Sequence, residues 1–297
     1  MKALVLGSGQ ASGVPAWNDG SELALRARAR DPLVPRRRGA ALAVSADGLR
    51  YTILEAPFGL GDTLTRHPML APAPGRRAAP IDAIVLTSAE LDATAGALAL
   101  RHGLAARIVS PVPVRDALAE QDEAFRSLAP LWTGLPWDRA WLLDRDERLE
   151  ARLFPLPGPS PDHLGDAGAA AGRGRCGVRI TDRRSGTRIV WAPRIAQLDS
   201  ATLAELRAAD LRFIDGTCYA DEEGRRLRPG ARCARDLGHA PIDGRQGSLV
   251  QLAGMGGRSF YVHLAATNPL CDRESKETGR VHEAGIGIAE DGMEVET

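Results

Sequence analysis

The sequence has no net charge and no long apolar segment. Lys+Arg and Asp+Glu both total 38 among the 297 residues, so the formal charge at pH 7 is zero. Such a chain has no overall positive field with which to hold nucleic acid or an anionic membrane surface. No apolar run reaches the roughly 18–20 residues that a membrane span requires. We therefore expect neither nucleic acid nor a membrane among its partners.

Cysteine is scarce and shows none of the spacings that indicate a metal or redox motif. The four cysteines, with no CxxC pair among them, are Cys176, Cys218, Cys233 and Cys271. Residues 1–7 form a short apolar run that ends at a glycine turn, too short for the apolar part of a signal peptide. A chain of this length without such a leader is expected to be reduced, soluble and cytoplasmic.

The order of predicted elements indicates an α/β sandwich. Runs at 40–46 and 49–54 around the turn Asp47-Gly48 predict two strands, and 81–86 predicts a buried strand. Helices are predicted at 93–102, 115–128, 198–208 and 248–252, and further strands at 106–110, 149–156, 176–180, 188–192, 211–214 and 260–263. This order predicts two mixed β-sheets packed face to face with helices outside, an αββα arrangement, in one domain spanning 1–297.

Two segments carry weaker expectations. The basic stretch 26–38, which contains Pro32 and Pro35, is predicted to be a solvated loop. Residues 287–289 and 294–295 are predicted to pair with each other as a last short strand.

The segment 84–96, Ile-Val-Leu-Thr-Ser-Ala-Glu-Leu-Asp-Ala-Thr-Ala-Gly, carries the first resemblance. An apolar strand enters a polar turn, and a small-residue helix begins around Asp92. The segment resembles the strand–turn–helix that carries HxHxDH in proteins of the metallo-β-lactamase fold. Ser88 and Glu90 fall on the first two histidine positions of that motif and Ala93 on the last, whereas Asp92 matches the aspartate.

The C-terminal third resembles the PQQ-biosynthesis protein B family more specifically. The matching segments, in collinear order, are Asp-Gly-Thr-Cys-Tyr-Ala-Asp-Glu at 215–222, Gly-His-Ala-Pro-Ile-Asp-Gly at 238–244, Tyr-Val-His-Leu-Ala-Ala-Thr-Asn-Pro at 261–269 and Asp-Gly-Met-Glu at 291–294. Near the start, 13–18 and 43–48 also fit the family. The chain departs from it after Asn18, where closely spaced cysteines for a structural zinc are missing.

The resemblance implies a metal site formed by Asp92, Asp215, His239 and His263, with Asp92, His239 and His263 as the catalytic residues. Two histidines with one carboxylate form the ligand set of open non-haem Fe(II) sites, and the same set could hold Zn with one open position. Absence of a metal is the third alternative, because lone histidines and a helix-capping Asp92 are common structural features. His163 is the histidine nearest to a lost ligand position in the loop 157–175.

Substrate contacts are expected from Glu90, Tyr219 and Asn268, and Trp17 is expected to pack in the interior. The family implies oxygen-dependent, iron-dependent hydroxylation of a tyrosine derived from a peptide. A metal-free relative that binds or carries a biosynthetic intermediate is the first alternative, and a metal-dependent hydrolase is the second. The expected partner is a small peptide or an amino-acid-derived substrate, and a homodimer is a further hypothesis.

Overall fold

The computed structural model of the chain describes residues 1–103, 105–137, 139–167, 175–226 and 228–297. Its strands are β1 (Lys2–Gly7), β2 (Ala41–Ser45), β3 (Tyr51–Leu54), β4 (Ile81–Val85), β5 (Arg107–Pro111), β6 (Trp132–Leu135), β7 (Ala140–Leu142), β8 (Leu149–Pro155), β9 (Cys176–Asp182), β10 (Arg188–Ala192), β11 (Leu211–Asp215), β12 (Arg258–Val262), β13 (Ile286–Ile288) and β14 (Glu294–Glu296). Its α-helices are α1 (Glu22–Arg28), α2 (Leu60–Thr65), α3 (Leu91–Thr94), α4 (Gly96–Leu100), α5 (Val112–Gln121), α6 (Glu123–Arg126), α7 (Ser200–Arg207), α8 (Ser248–Leu252) and α9 (Lys276–Glu283).

The strands form two mixed sheets with matching organisation. The first has the order β14-β1-β2-β3-β4-β5-β6 and the second β13-β12-β11-β10-β9-β8-β7. In the first sheet, β3 to β6 run parallel and the other pairs are antiparallel. In the second sheet, β10 to β13 run parallel and the other pairs are antiparallel. Each sheet therefore has a parallel half whose strands end at one common edge.

Side chains along the central strands alternate between an inner core and an outer core. In β4, Val85 lies in the core between the sheets, whereas Ile84 packs with the helices outside. In β10, Trp191 lies in the inner core and Val190 in the outer core of the second sheet. Because both faces of these strands are covered, their sequences are almost continuously apolar. The layers are helix, sheet, sheet and helix, which confirms the predicted αββα fold class.

The basic stretch 26–38 differs from its prediction as a solvated loop. Arg26 and Arg28 lie in α1, which begins after the N-cap Ser21. Arg37 is buried, and its guanidinium donates to the hydroxyl of Ser8 and to the backbone carbonyl of Ala289. Part of the positive charge in this stretch is therefore buried, because guanidinium groups donate hydrogen bonds to neighbouring segments of the chain.

Two other elements also differ from prediction. The helix predicted at 115–128 is interrupted at Asp122, whose extended backbone (φ −141°) ends α5 and whose side chain caps α6. The segments at the end of the chain do not pair with each other. Instead, β13 pairs with β12 in the second sheet and β14 with β1 in the first, because each adds to an available sheet edge.

No helix among the described residues is both long enough and apolar enough to cross a membrane.

Candidate site at the carboxyl ends of the strands

The candidate site lies where strands from both sheets end. Glu55 directly follows β3, Asp215 is the last residue of β11, and His263 directly follows β12. Arg194 lies two residues after β10, and Asp92 lies in α3, the helix that follows β4. Parallel strands place their carboxyl ends at the same edge of a sheet, where ligand sites of α/β proteins commonly form. These side chains therefore converge although they are far apart in the sequence.

Thr217 connects three of the four predicted metal ligands. Its Oγ1 lies 2.6 Å from Oδ1 of Asp215, 3.0 Å from Nδ1 of His239 and 2.8 Å from Nδ1 of His263. His239 Nδ1 also lies 2.7 Å from Oδ2 of Asp215. Burial alone would raise the pKa of Asp215, but the His239 contacts and the hydrogen bonds hold that pKa below its usual value. Asp215 is thus an acceptor that orients the imidazole of His239.

Arg194 lies on the other side of the His263 ring. Its Nη2 is 2.7 Å from Oδ2 of Asp92 and 3.2 Å from Nε2 of His263, and the latter two atoms are 2.9 Å apart. Its Nη1 lies 3.5 Å from Oε1 of Glu55. Burial would raise the pKa of Asp92, but the charge of Arg194 holds it well below its usual range. A buried guanidinium is therefore enclosed by two carboxylates and an imidazole.

A second buried guanidinium, that of Arg175, holds the wall of the site. Its Nη1 donates to the backbone carbonyl of Gly238 at 3.0 Å, and its Nη2 donates to Oε1 of Glu90 at 3.2 Å. Gly238 precedes His239 in the chain, so the same side chain positions Glu90 and the loop that carries His239. Contact of Glu90 with a substrate stays a prediction.

A pocket of about 420 Å³ opens onto this cluster, within the usual range for small-ligand sites. Its polar lining comes from both sheets. The polar lining residues include Glu90, Asp92, Arg194, Thr217, His239, His263 and also His163, the candidate substitute ligand. Its apolar lining includes Phe58, Leu91 and Leu237, which remain 63%, 37% and 39% exposed. The site thus combines a charged floor with a rim that carries apolar side chains beside the exposed charges of Asp162 and Arg232.

Tyr219 and Asn268, predicted to contact substrate, are not among the described residues that line this pocket. Asn268 is fully buried, and its amide donates to the backbone carbonyl of Gly216 at 2.7 Å. Tyr219 is also buried, and its hydroxyl accepts from Arg280 at 2.9 Å. Both prefer structural partners because polar groups that leave water need hydrogen bonds. Trp17 is 86% exposed, so the prediction that it packs in the interior is wrong.

Three residues of the site were not identified from the sequence, namely Glu55, Arg194 and Thr217. Glu55 directly follows β3 and Thr217 lies two residues after β11, so a search for polar residues at strand ends would have found these two. Arg194 belongs to no spacing motif that points to chemistry. Its role is visible only when the ends of β10, β12 and α3 are seen together.

The site contains one group of residues that could hold the metal implied by the resemblance. Among the described residues, Asp215, His239 and His263 form a group whose candidate ligand atoms lie within 4.8 Å of one another. The number and type of ligands suit Fe(II) or Zn, although both Nδ1 atoms now contact Thr217. The pair Asp92–His263 does not fit a metal, because Nη2 of Arg194 contacts both of its ligand atoms.

The chain is similar to one protein superfamily and to full-length proteins within it. A family model described as the beta-lactamase superfamily domain matches residues 53–264. Coenzyme PQQ synthesis protein B from Rhizobium meliloti (strain 1021) is 34% identical over 318 residues, which cover 99% of this chain and 97% of the relative. The protein of the same name from Xanthomonas oryzae pv. oryzae (strain MAFF 311018) is 31% identical and covers 99% of both chains.

Solved structures give the same fold. The crystal structure of Zn²⁺-bound PqqB from Methylobacterium extorquens superposes with a TM-score of 0.93 at 28% identity and covers 100% of both chains. A diphosphatase from the PhnP family has a TM-score of 0.69 at 18% identity, covering 100% of this chain and 97% of its own. The second likeness shows the fold alone.

Proposed function

The chain belongs to the family of coenzyme PQQ synthesis protein B, and on this basis we propose that it acts in the biosynthesis of a peptide-derived cofactor or related natural product. In that role it binds a small intermediate derived from a peptide or an amino acid. The pocket at the carboxyl ends of the strands is the binding site.

The composition of the pocket supports this class of ligand. Phe58, Leu91 and Leu237 offer partly exposed apolar surface, and Glu90 and His239 offer polar groups beside it. An amino-acid-derived molecule carries an apolar or aromatic side chain next to charged groups, so it can satisfy both parts of the lining. The exposed ring of Phe58 suits stacking against an aromatic ligand.

One observation favours binding over metal chemistry as the role of this pocket. The positive charge between Asp92 and His263 belongs to Arg194, a side chain of the protein, and it is already paired with both residues. Binding an intermediate against this floor requires no metal. His239 is held by Asp215 through Nδ1, which leaves its Nε2 as a polar group available to a ligand.

Calorimetric titration with tyrosine-containing peptides and tyrosine derivatives tests the binding role. Phe58→Ala should weaken binding about ten-fold, because loss of an apolar ring contact of this size costs on the order of 1.4 kcal/mol. Leu49→Ala is the matched control, since Leu49 is 73% exposed in the β2–β3 turn, at the opposite end of these strands. Equal affinity of both variants and the parent chain would place the ligand elsewhere. No measurable binding of any such compound would contradict the proposal.

An iron-dependent hydroxylase acting on a tyrosine-derived substrate is the second candidate, and the group Asp215, His239 and His263 favours it. These three residues would hold the metal, which when bound would supply activation of O₂. The hydrolase alternative has less support, because Ser88, Glu90 and Ala93 stand where a metal-activated water would need histidines.

Metal analysis distinguishes the two candidates. Protein purified anaerobically without a tag is supplied with Fe(II) or Zn²⁺ and analysed for bound metal beside His239→Ala. The hydroxylase requires about one metal per chain that is lost in the variant, together with oxygen consumption when a tyrosine-containing peptide is added. If neither bound metal nor oxygen consumption is detected, the hydroxylase is contradicted and only the binding role remains.

A further inference from the structure

Arg194 fills the space between Asp92 and His263, two residues that the family resemblance makes metal ligands. We infer that its guanidinium is a built-in replacement for a metal ion at this position. The Asp92–His263 pair of this chain accordingly does not take up Zn²⁺ or Fe²⁺. This inference rests on the geometry of the cluster and is independent of the ligand that the pocket binds.

The distances leave little room for a second cation. Nη2 of Arg194 lies 2.7 Å from the Asp92 oxygen and 3.2 Å from the His263 nitrogen. Zinc would need to approach the same two atoms to roughly 2.0–2.2 Å. A divalent ion there would lie within a few ångströms of a buried positive charge, where repulsion is strong because little water screens it.

The charges around Arg194 hold it in place. Its side chain is 4% exposed, and Glu55, at 0% exposure, lies 3.5 Å from Nη1. Arg194 is thus paired with Glu55 on one side and with Asp92 on the other. Moving the guanidinium into the solvent would leave the buried carboxylate of Glu55 and the carboxylate of Asp92, which is 15% exposed, without their cationic partner, which is unfavourable. A metal ion could not displace Arg194 without that cost.

The backbone around Arg194 is strained at two of the residues that face it. Glu55 has φ 71° and His263 has φ 65°, in the left-handed region that non-glycine residues rarely adopt. Such strain persists where the surroundings determine a side-chain position for function. The side chains of both residues contact the guanidinium of Arg194. The backbone conformation at Glu55 and His263 therefore helps to fix the position of Arg194.

The sequence change at position 93 complements the presence of Arg194. Ala93 stands where the family motif carries a histidine, and it is fully buried. Its carbonyl accepts the backbone N–H of Ala56 at 2.7 Å, which places it beside the chain that carries Glu55. The chain therefore lacks the family's imidazole at position 93, next to Asp92 in the sequence, and carries a cation between Asp92 and His263.

Restoring the ligand and removing the cation together should create a metal site. We would compare the parent chain with Arg194→Ala, Ala93→His and the double variant Ala93→His/Arg194→Ala. Each protein is freed of metal with a chelator and titrated with Zn²⁺ by calorimetry, and bound metal is measured by elemental analysis. The double variant should bind Zn²⁺ at least about 100-fold more tightly than the parent, because a third ligand is added and a nearby positive charge removed. Ala93→His alone, which keeps Arg194, should show no such gain.

Asp92→Asn and His239→Ala in the parent chain separate this position from the neighbouring ligand group. Zn²⁺ bound by the parent and lost only in Asp92→Asn would overturn the inference. Zn²⁺ lost only in His239→Ala would place the metal at Asp215 and His239, and the inference for Arg194 would stand. Should the double variant fail to fold, the melting temperature of the parent still decides. If the inference holds, any effect of Zn²⁺ or chelator on the melting temperature of the parent should remain in Asp92→Asn. A rise in melting temperature with Zn²⁺ that is absent in Asp92→Asn would contradict the inference.

Discussion

At the scale of single residues, the buried carboxylate of Glu55 should make stability depend on pH. Burial raises the pKa of Glu55 to about 7, although Arg194 and Thr87 oppose that rise. The folded chain therefore binds the Glu55 proton more strongly than the unfolded chain does. The contribution of this residue to the free energy of unfolding is full below the unfolded pKa and falls as the pH rises from about 4.5 to about 7.

Glu55→Gln should remove this dependence. Relative to the parent, the free energy of unfolding of the variant should rise by up to about 3 kcal/mol between pH 4.5 and pH 7.5. Urea denaturation at a series of pH values measures the difference. Glu120→Gln, on the exposed side of α5, is the matched control and should follow the parent at every pH. A stability difference for Glu55→Gln that stays constant or decreases over this window would contradict the burial argument.

The individual residues also show how far the sequence could predict the site. Asp92, Asp215, His239 and His263 could be chosen because they fall on motif positions, and the structure brings all four together. Arg194 could not be chosen, because its importance depends on contacts between elements from both sheets. Tyr219 and Asn268 lie in matching motifs, but the motif could not reveal that their polar groups face backbone and Arg280 rather than the pocket.

At the scale of elements, Gly96 fixes α3 and α4 against the segment that carries Glu55. A Cβ at this position would lie 2.1 Å from the carbonyl oxygen of Pro57 and 2.8 Å from that of Ala56. The Gly96 N–H donates to the same Ala56 carbonyl at 2.8 Å. This close approach of two backbone segments places Asp92 and Glu55 on either side of Arg194.

Gly96→Ala should therefore destabilise the chain by at least about 2 kcal/mol, because the new methyl group has no space beside rigid backbone. Gly61→Ala in α2 is the control, since its Cβ would make an ordinary contact of 3.5 Å with Leu100. Alanine at that helical position should leave stability unchanged or raise it by up to about 1 kcal/mol. Chemical denaturation of both variants tests this pair. Similar stabilities would show that the α3–α4 segment adapts freely and does not fix the site.

The elements show which structural features the sequence determines locally. Buried strands such as β4 and β10 are predictable because both of their faces are apolar. The partners of β13 and β14 are not, because pairing depends on which sheet edges are available once the whole chain has folded. The interruption at Asp122 follows from its capping geometry, which competes with continuation of the helix.

At the scale of the whole molecule, the two sheets depend on each other. Their inner faces form one shared core, in which Val85 from the first sheet and Trp191 from the second take part. The first sheet also needs β14, which comes after every strand of the second sheet in the chain. Neither sheet could bury its inner face alone, and no single cut in the chain separates them. One domain spanning 1–297 stays a prediction, which the unfolding of the chain can test.

Equilibrium unfolding should accordingly follow one transition. In urea, the loss of far-ultraviolet circular dichroism, which reports both sheets, should coincide with the loss of the near-ultraviolet signal, which reports packed aromatic residues such as Trp191. Trp191→Phe should shift both curves to lower denaturant concentration by the same amount, because a smaller ring leaves a cavity in the core that the sheets share. Two separated transitions, or a shift of only one curve, would show that the sheets unfold as independent units and that the site between them is assembled by docking.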